Sequence, residues 1–253
     1  MPGTRLTTLA LAGLIGLATS PTLLATAAGG ERGSAPAAEH ATAGPPLVCV
    51  EIEIGDAKSL PWGKGAFEGA GKGANMKRIA EQTLELLSAT DSTLVRMETL
   101  RRATVYLYRD ESACAGLLAR LAWIALDREA DAGATAAERA RAWFDAGYFA
   151  ACLWHMNISP DKSRPGFAAD VQGYAWLVRA IDLSGGDPAM EFAAANAVHP
   201  GVRKSQRDLY EAHMRRAIRG VHDEKSLLRA NIDAHLAHWN ESAAAILRTA
   251  DSR

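Results

Sequence analysis

A chain of 253 residues with a formal net charge of -1 lacks the basic excess that a nucleic-acid footprint requires. Its charges of both signs are interspersed, which also excludes a polybasic membrane patch. The residues are 48% hydrophobic but only 6% aromatic, with much alanine, a balance that favours close helix–helix packing over a β-sandwich core.

The first 27 residues have the three parts of a secretory signal: Arg5 in a positive n-region, an apolar core from Leu6 to Ala18, and small residues at Ala25-Thr26-Ala27. The expectation is export, to a periplasm or to the medium. The apolar core is shorter than the roughly 20 residues a membrane span needs, so no stable span is expected after cleavage. Residues 28–46 mix Gly, Ser, Ala, Pro and charge without periodicity and are expected to form a disordered linker. The remaining roughly 200 residues, 47–253, suffice for one well-cored domain.

Leu47 to Ile54 alternates apolar and polar residues, the period-2 signal of a half-buried strand. It is the only strand expected, followed by a glycine-rich loop from Gly55 to Ala74. Everything beyond predicts helix. Asn75 is an N-cap type ahead of Met76, Ile79, Leu84 and Leu87, and Asp91 or Ser92 caps a second helix carrying Leu94, Met97, Leu100 and Leu107. A third runs from about Glu111 to Glu129, with Gly133 as breaker, and Thr135 with Glu138 is a capping box opening a helix to about Met156. After a loop with two prolines come helices over Ala168–Leu183 and Ala189–Val198, separated by Gly185-Gly186-Asp187-Pro188. Arg203–Arg219 and Lys225–Leu247, the latter kinked near Asn240, complete an all-α array of antiparallel helical hairpins. Trp123, Trp143 and Trp176 each fall on an apolar stripe and are expected in the core. Cys49, Cys114 and Cys152 are an odd count for a chain expected in an oxidising compartment, and whether any pair is left open.

Trp143 followed by Gly147, with Ala180-Ile181-Asp182-Leu183 and Asp187-Pro188 downstream, resembles a tetratricopeptide helix pair over residues 138–188. The resemblance implies a concave helical surface that binds peptides or partner proteins.

Few residues point to chemistry. Gly69-Ala70-Gly71-Lys72-Gly73-Ala74 approximates a dinucleotide fingerprint, but no strand leads directly into it and no later strand would complete a parallel sheet. A simpler expectation is that Lys72 and backbone N–H groups near the Asn75 helix start hold an anion. His235, His238 and Glu241 recur at intervals of three on one predicted helix, so their side chains can share a face and ligate zinc or iron. His213 or Glu211 would supply a fourth ligand. No Gly-x-Ser-x-Gly is present, and the cysteines sit in apolar surroundings that raise thiol pKa. The functional expectation is an exported helical domain that binds a protein or peptide, without nucleic acid. The alternative is a metal-binding protein or metal-dependent enzyme using the histidine face; whether the protein is an enzyme, and with which cofactor, stays open.

Overall fold

The computed structural model describes residues 46–61, 75–157, 173–201 and 204–248, all within one unit spanning Ala41–Arg253. The expected export signal and nearly all of the expected linker lie outside them. Among the described residues there are ten α-helices and no strand. The first half holds α1 (Pro46–Cys49), α2 (Met76–Ser88), α3 (Thr93–Leu107), α4 (Glu111–Ala130) and α5 (Ala136–Asn157). The second holds α6 (Gly173–Ser184), α7 (Pro188–Ala197), α8 (Arg207–Gly220), α9 (Leu227–His238) and α10 (Ala243–Arg248).

Local chemistry sets the helix starts. Asn75 accepts from the Arg78 N–H, Ser92 from Val95 and Asp110 from Ala113, so orphan first-turn donors are satisfied. The capping box is reciprocal: the Glu138 carboxylate accepts the Thr135 N–H at 2.8 Å, and Thr135 Oγ1 accepts the Glu138 N–H at 3.2 Å. At the other signal, Gly185 at φ +74° and Gly186 at φ +92° end α6, and Asp187 caps α7 with Pro188 in its first turn. The last long helix, expected to kink near Asn240, breaks there into two. Asn240 takes φ +56°, α9 stops before it, and Ser242 restarts the chain as α10 by accepting from the Ala245 N–H.

Consecutive helices from α2 to α8 touch one another, and α5 runs through the middle, packing on α1, α3, α4, α6 and α7. Every residue from Ala142 to Leu153 is buried, as is every residue from Ala189 to Ala197 on α7. A helix buried on all sides must be narrow to pack densely, which explains the alanine-rich composition. The closest approach is between α5 and α6. A Cβ added to Gly147 would meet the Leu177 nitrogen at 2.8 Å and the Gly173 oxygen at 2.9 Å, both backbone atoms. Gly147→Ala is therefore expected to cost about 1–3 kcal/mol by forcing the helices apart. Denaturant unfolding that left the midpoint unchanged would show that the pair can separate without loss.

The N-terminal strand expectation is corrected. Leu47 and Val48 are both buried in the short helix α1, which two successive residues of a half-buried strand cannot be. Residues 51–54 have no regular secondary structure and Ile52 is buried, but the hydrogen-bond partners of Ile52 and Glu53 are side chains rather than a second strand. The Ile52 N–H donates to the Glu98 carboxylate, and the Asn231 amide brackets Glu53, accepting its N–H at 2.7 Å and donating to its carbonyl at 2.8 Å. Glu98 is the hub of this attachment. It is fully buried, accepts from Arg101 at 2.7 Å twice and from Arg102 at 2.6 Å, and those arginines reach on to the Val48 and Leu60 carbonyls.

Of the three tryptophans expected in the core, Trp143 is buried and Trp176 packs edge-on against it at 5.9 Å while half-buried. Trp123 contradicts the expectation at 56% exposed. Its neighbours Leu121 and Ala125 are buried and Ile124 half-buried, so the helix turns those residues inward and Trp123 outward. No disulfide joins Cys49, Cys114 and Cys152; burial pushes the Cys152 thiol up to about 12, so it stays protonated and inert.

Candidate functional site

A groove of about 410 Å³ lies between α2, α4 and α5. Helical periodicity builds its walls. Leu84, Leu87 and Ser88 come from α2; Leu121, Ile124 and Arg128 from one face of α4; Glu138, Ala142 and Asp145 from one face of α5. Trp123 stands on the rim, with the Arg120 guanidinium 5.5 Å from its ring centroid. Leu126, 58% exposed, continues the apolar surface along α4.

A buried ion pair forms the floor. Arg96 donates to Asp145 Oδ2 at 2.5 Å and to the Leu87 and Thr90 carbonyls at 2.7 and 2.6 Å, tying α3 to α5 and to the end of α2. Burial raises the Asp145 carboxyl to about 6 against the opposing pull of Arg96, so it is ionised at neutral pH. Asp145 Oδ1 and Arg96 Nε make no hydrogen bond among the described residues. On the rim the charges are otherwise spent: Arg141 pairs with Asp91 at 3.3 Å, Arg128 with Asp131 at 3.7 Å, and Glu138 caps its own helix. Asp127 is an exposed carboxylate with no pairing side chain among the described residues.

A second cluster lies on α6, α7 and α8. The Tyr174 hydroxyl is 2.7 Å from His213 Nε2, and His213 Nδ1 is 2.5 Å from Glu191 Oε2. Arg216 donates from Nε to Glu191 Oε1 at 2.6 Å. Burial pushes the Glu191 carboxyl up, but the His213 and Arg216 hydrogen bonds outweigh it and hold it below its ordinary value. Arg216 Nη2 also lies 2.7 Å from His213 Nδ1, so the imidazole is bracketed by Tyr174 at one nitrogen and by Glu191 and Arg216 at the other. A cleft of about 380 Å³ is walled by Val178, Ile181, Asp182, Glu191, His213 and the half-exposed Arg216.

The histidine face does not converge. His235 is buried, His238 is exposed, and Glu241 is turned to α8, where its carboxylate accepts from Tyr210 Oη at 2.5 Å and from Arg207 at 3.0 Å. The α9 break at Asn240 carries Glu241 off the face that a continuous helix would have given it. Of the suggested fourth ligands, Glu211 is held by Arg207 and His213 belongs to the Tyr174 row. No group of three His, Cys, Asp or Glu side chains suited to a metal is formed among the described residues. His235 instead meets His199 at 5.4 Å between ring centroids, with Trp239 4.4 Å and Tyr210 4.8 Å from His199. Lys72 lies outside the described residues.

Sequence reading did not single out Asp145, Arg96, Tyr174 or Glu191. A charged residue inside an apolar helical stripe was the available signal for Asp145 and Glu191. No protein-family model, curated protein or solved structure matches this chain.

Proposed function

We propose that this chain is an exported binding protein that takes a peptide segment of a partner in the groove between α2, α4 and α5. The observation that carries this reading is Trp123: a large aromatic side chain, 56% exposed, on the rim of a groove walled by leucine and isoleucine. Exposed tryptophan costs solvation free energy in the free protein and is a frequent anchor in interfaces, where it buries apolar area with little loss of rotamer freedom. The occupant is an apolar segment with a basic residue. Its apolar side chain covers Leu121, Ile124 and Trp123, and its cation meets Asp127, the carboxylate that no described arginine answers. A helical-hairpin stack of the tetratricopeptide kind, to which residues 138–188 have a resemblance, would present such grooves as a matter of course. The metal-dependent alternative has no comparable support in the placement of His235, His238 and Glu241.

The test is selection from a displayed peptide library on the full chain, recovered from an exporting host and N-terminally sequenced. The mature protein is expected to begin near Ala28, and the enriched peptides to pair an apolar side chain with Lys or Arg. Trp123→Ala is expected to weaken binding at least about tenfold while leaving the melting temperature nearly unchanged, because the ring is exposed. Asp127→Lys should select against basic peptides. Enrichment indifferent to both substitutions, or none, removes the groove as the site; a mature chain that still begins at Met1 removes export.

A further inference from the structure

We propose that the outward face of α4 docks a second copy of this chain, helix against antiparallel helix, about a two-fold axis that passes between Trp123 and Ile124. The helix turns Leu117, Leu118, Leu121 and Ala125 into the core. On its opposite face Gly116, Ala119, Trp123, Leu126 and Ala130 are all exposed, at successive spacings of three and four residues. That alternation is the narrow a/d seam of a coiled coil rather than the wider stripe that seats a helix on a globular core. Trp123 and Leu126 are 56% and 58% exposed, and a Cβ added to Gly116 would meet nothing within 4 Å. Among the described residues the seam is therefore bare in the single chain.

The flanking charges identify the occupant. Arg120 and Asp127 are exposed on one edge of the seam, seven residues apart, and neither forms an ion pair among the described residues; Arg120 lies over the Trp123 ring, 5.5 Å from its centroid. Seven residues are two turns, about 10 Å along the axis. A two-fold axis crossing α4 midway between them reverses the second helix and sets the same edge against itself. Arg120 of each copy then faces Asp127 of the other, so one surface supplies two ion pairs. A parallel pairing would set this edge against the opposite one, where Ala115 and Ala122 carry no charge and the Glu129 carboxylate is held by Trp143 and Arg179. Charge thus selects the antiparallel arrangement. The same axis brings the two Trp123 rings together at the centre. It also sets Leu126 beside the small Ala119, and Ala130 beside Gly116, of the second copy, which lets the helices approach closely. The 20 residues of α4 span about 30 Å, and one such helix pair buries less than the roughly 800 Å² per partner of a standard interface. The dimer is accordingly an exchanging one, with a dissociation constant on the order of 10 μM. Trp123 and Asp127 also belong to the peptide groove, so a peptide and a second copy exclude one another, whereas Arg120 and Leu126 lie outside the groove lining.

The experiment is sedimentation velocity on the full chain over a concentration range of about 1 to 200 μM. The weight-average mass is expected to rise from that of one chain toward that of two, and to rise less in high salt, which screens exposed ion pairs. Arg120→Asp and Asp127→Arg each place like charges face to face across the axis, and each is expected to weaken self-association at least about tenfold. Mixed in equal amounts, the two single variants are complementary at both pairs and should associate about as tightly as the parent does. The double variant Arg120→Asp/Asp127→Arg, with its charges exchanged, should do so on its own. Both side chains are exposed, so the melting temperatures of all three variants should stay near that of the parent. A parent that is monomeric throughout, single variants that associate like the parent, or a mixture that associates no better than its components overturns the proposal. Peptide capture is measured at about 0.1 μM, where the chain is monomeric, so failure of this inference is distinguishable from failure of the peptide groove.

Discussion

Glu98→Ala is expected to destabilise the protein by about 3–5 kcal/mol, because it leaves buried cations without their counter-charge. Glu98 is fully buried and Arg101 only 2% exposed, and the carboxylate accepts three arginine hydrogen bonds and the Ile52 N–H. Burial alone would lower the Arg101 pKa, yet the Glu98 hydrogen bond and charge raise it, so the guanidinium depends on this partner. The loss also has a local signature. The Val48 carbonyl, the Ile52 amide and the Leu60 carbonyl are all held through Glu98 or its arginines, so hydrogen exchange at Ile52 should rise in the variant. Glu98→Gln, which keeps one acceptor oxygen, should recover part of the stability. Equal unfolding midpoints for Glu98→Ala and the parent would show that the arginines find other partners.

Acidification is expected to have an effect of comparable size through His199 and His235. Burial lowers both imidazoles to about 3, and neighbouring cations oppose a charge on either: His155, Arg207 and His238 act on His199, and His199 and His238 on His235. His199 Nδ1 also accepts the Gly201 N–H at 3.1 Å, a bond that protonation there would forfeit. The folded pKa lies below the ordinary histidine value of 6.5 in both cases. Stability is then fully present above about 6.5 and drains as pH falls toward 3, on the order of 1 kcal/mol per pH unit for each imidazole. Asp145 works in the opposite sense. Its folded pKa of about 6 exceeds the free value of 3.8, so the folded state gains between those limits as pH falls. Two imidazoles outweigh one carboxyl over that range, and the net slope is toward unfolding in acid. Denaturant titrations at pH 7, 5 and 4 measure it, and replacing both His199 and His235 with Gln should flatten the curve. A double variant with the same pH dependence as the parent would place the acid sensitivity elsewhere.

Much of the helix punctuation was legible because it is local chemistry. Asn75, Ser92 and the Thr135/Glu138 box cap where their side chains can reach a neighbouring N–H, whatever the rest of the chain does. The α6 stop at Gly185-Gly186 and the α7 restart at Asp187-Pro188 are equally short-range. Orientation was less legible. Apolar spacing on α4 is broad enough that Trp123 fits a stripe, and only the positions of α2 and α5 decide that Leu121 and Ile124 turn inward and Trp123 outward. The same limit undid the histidine face. Spacing by three aligns His235, His238 and Glu241 on an unbroken helix, and the positive φ at Asn240 is not visible in that spacing.

The all-α character of the described residues, with narrow, alanine-rich helices, was readable along the chain because propensity, caps and breakers act over a few residues and agree with one another. Which charges are buried together was not readable there and depends on packing between distant elements. Arg96 meets Asp145 across 49 positions, Tyr174 meets His213 across 39, and Asn231 meets Glu53 across 178. Such pairs carry no periodic trace in the chain. A buried charge is tolerable only where another element brings its partner, and that placement depends on how whole helices pack rather than on the residues beside it.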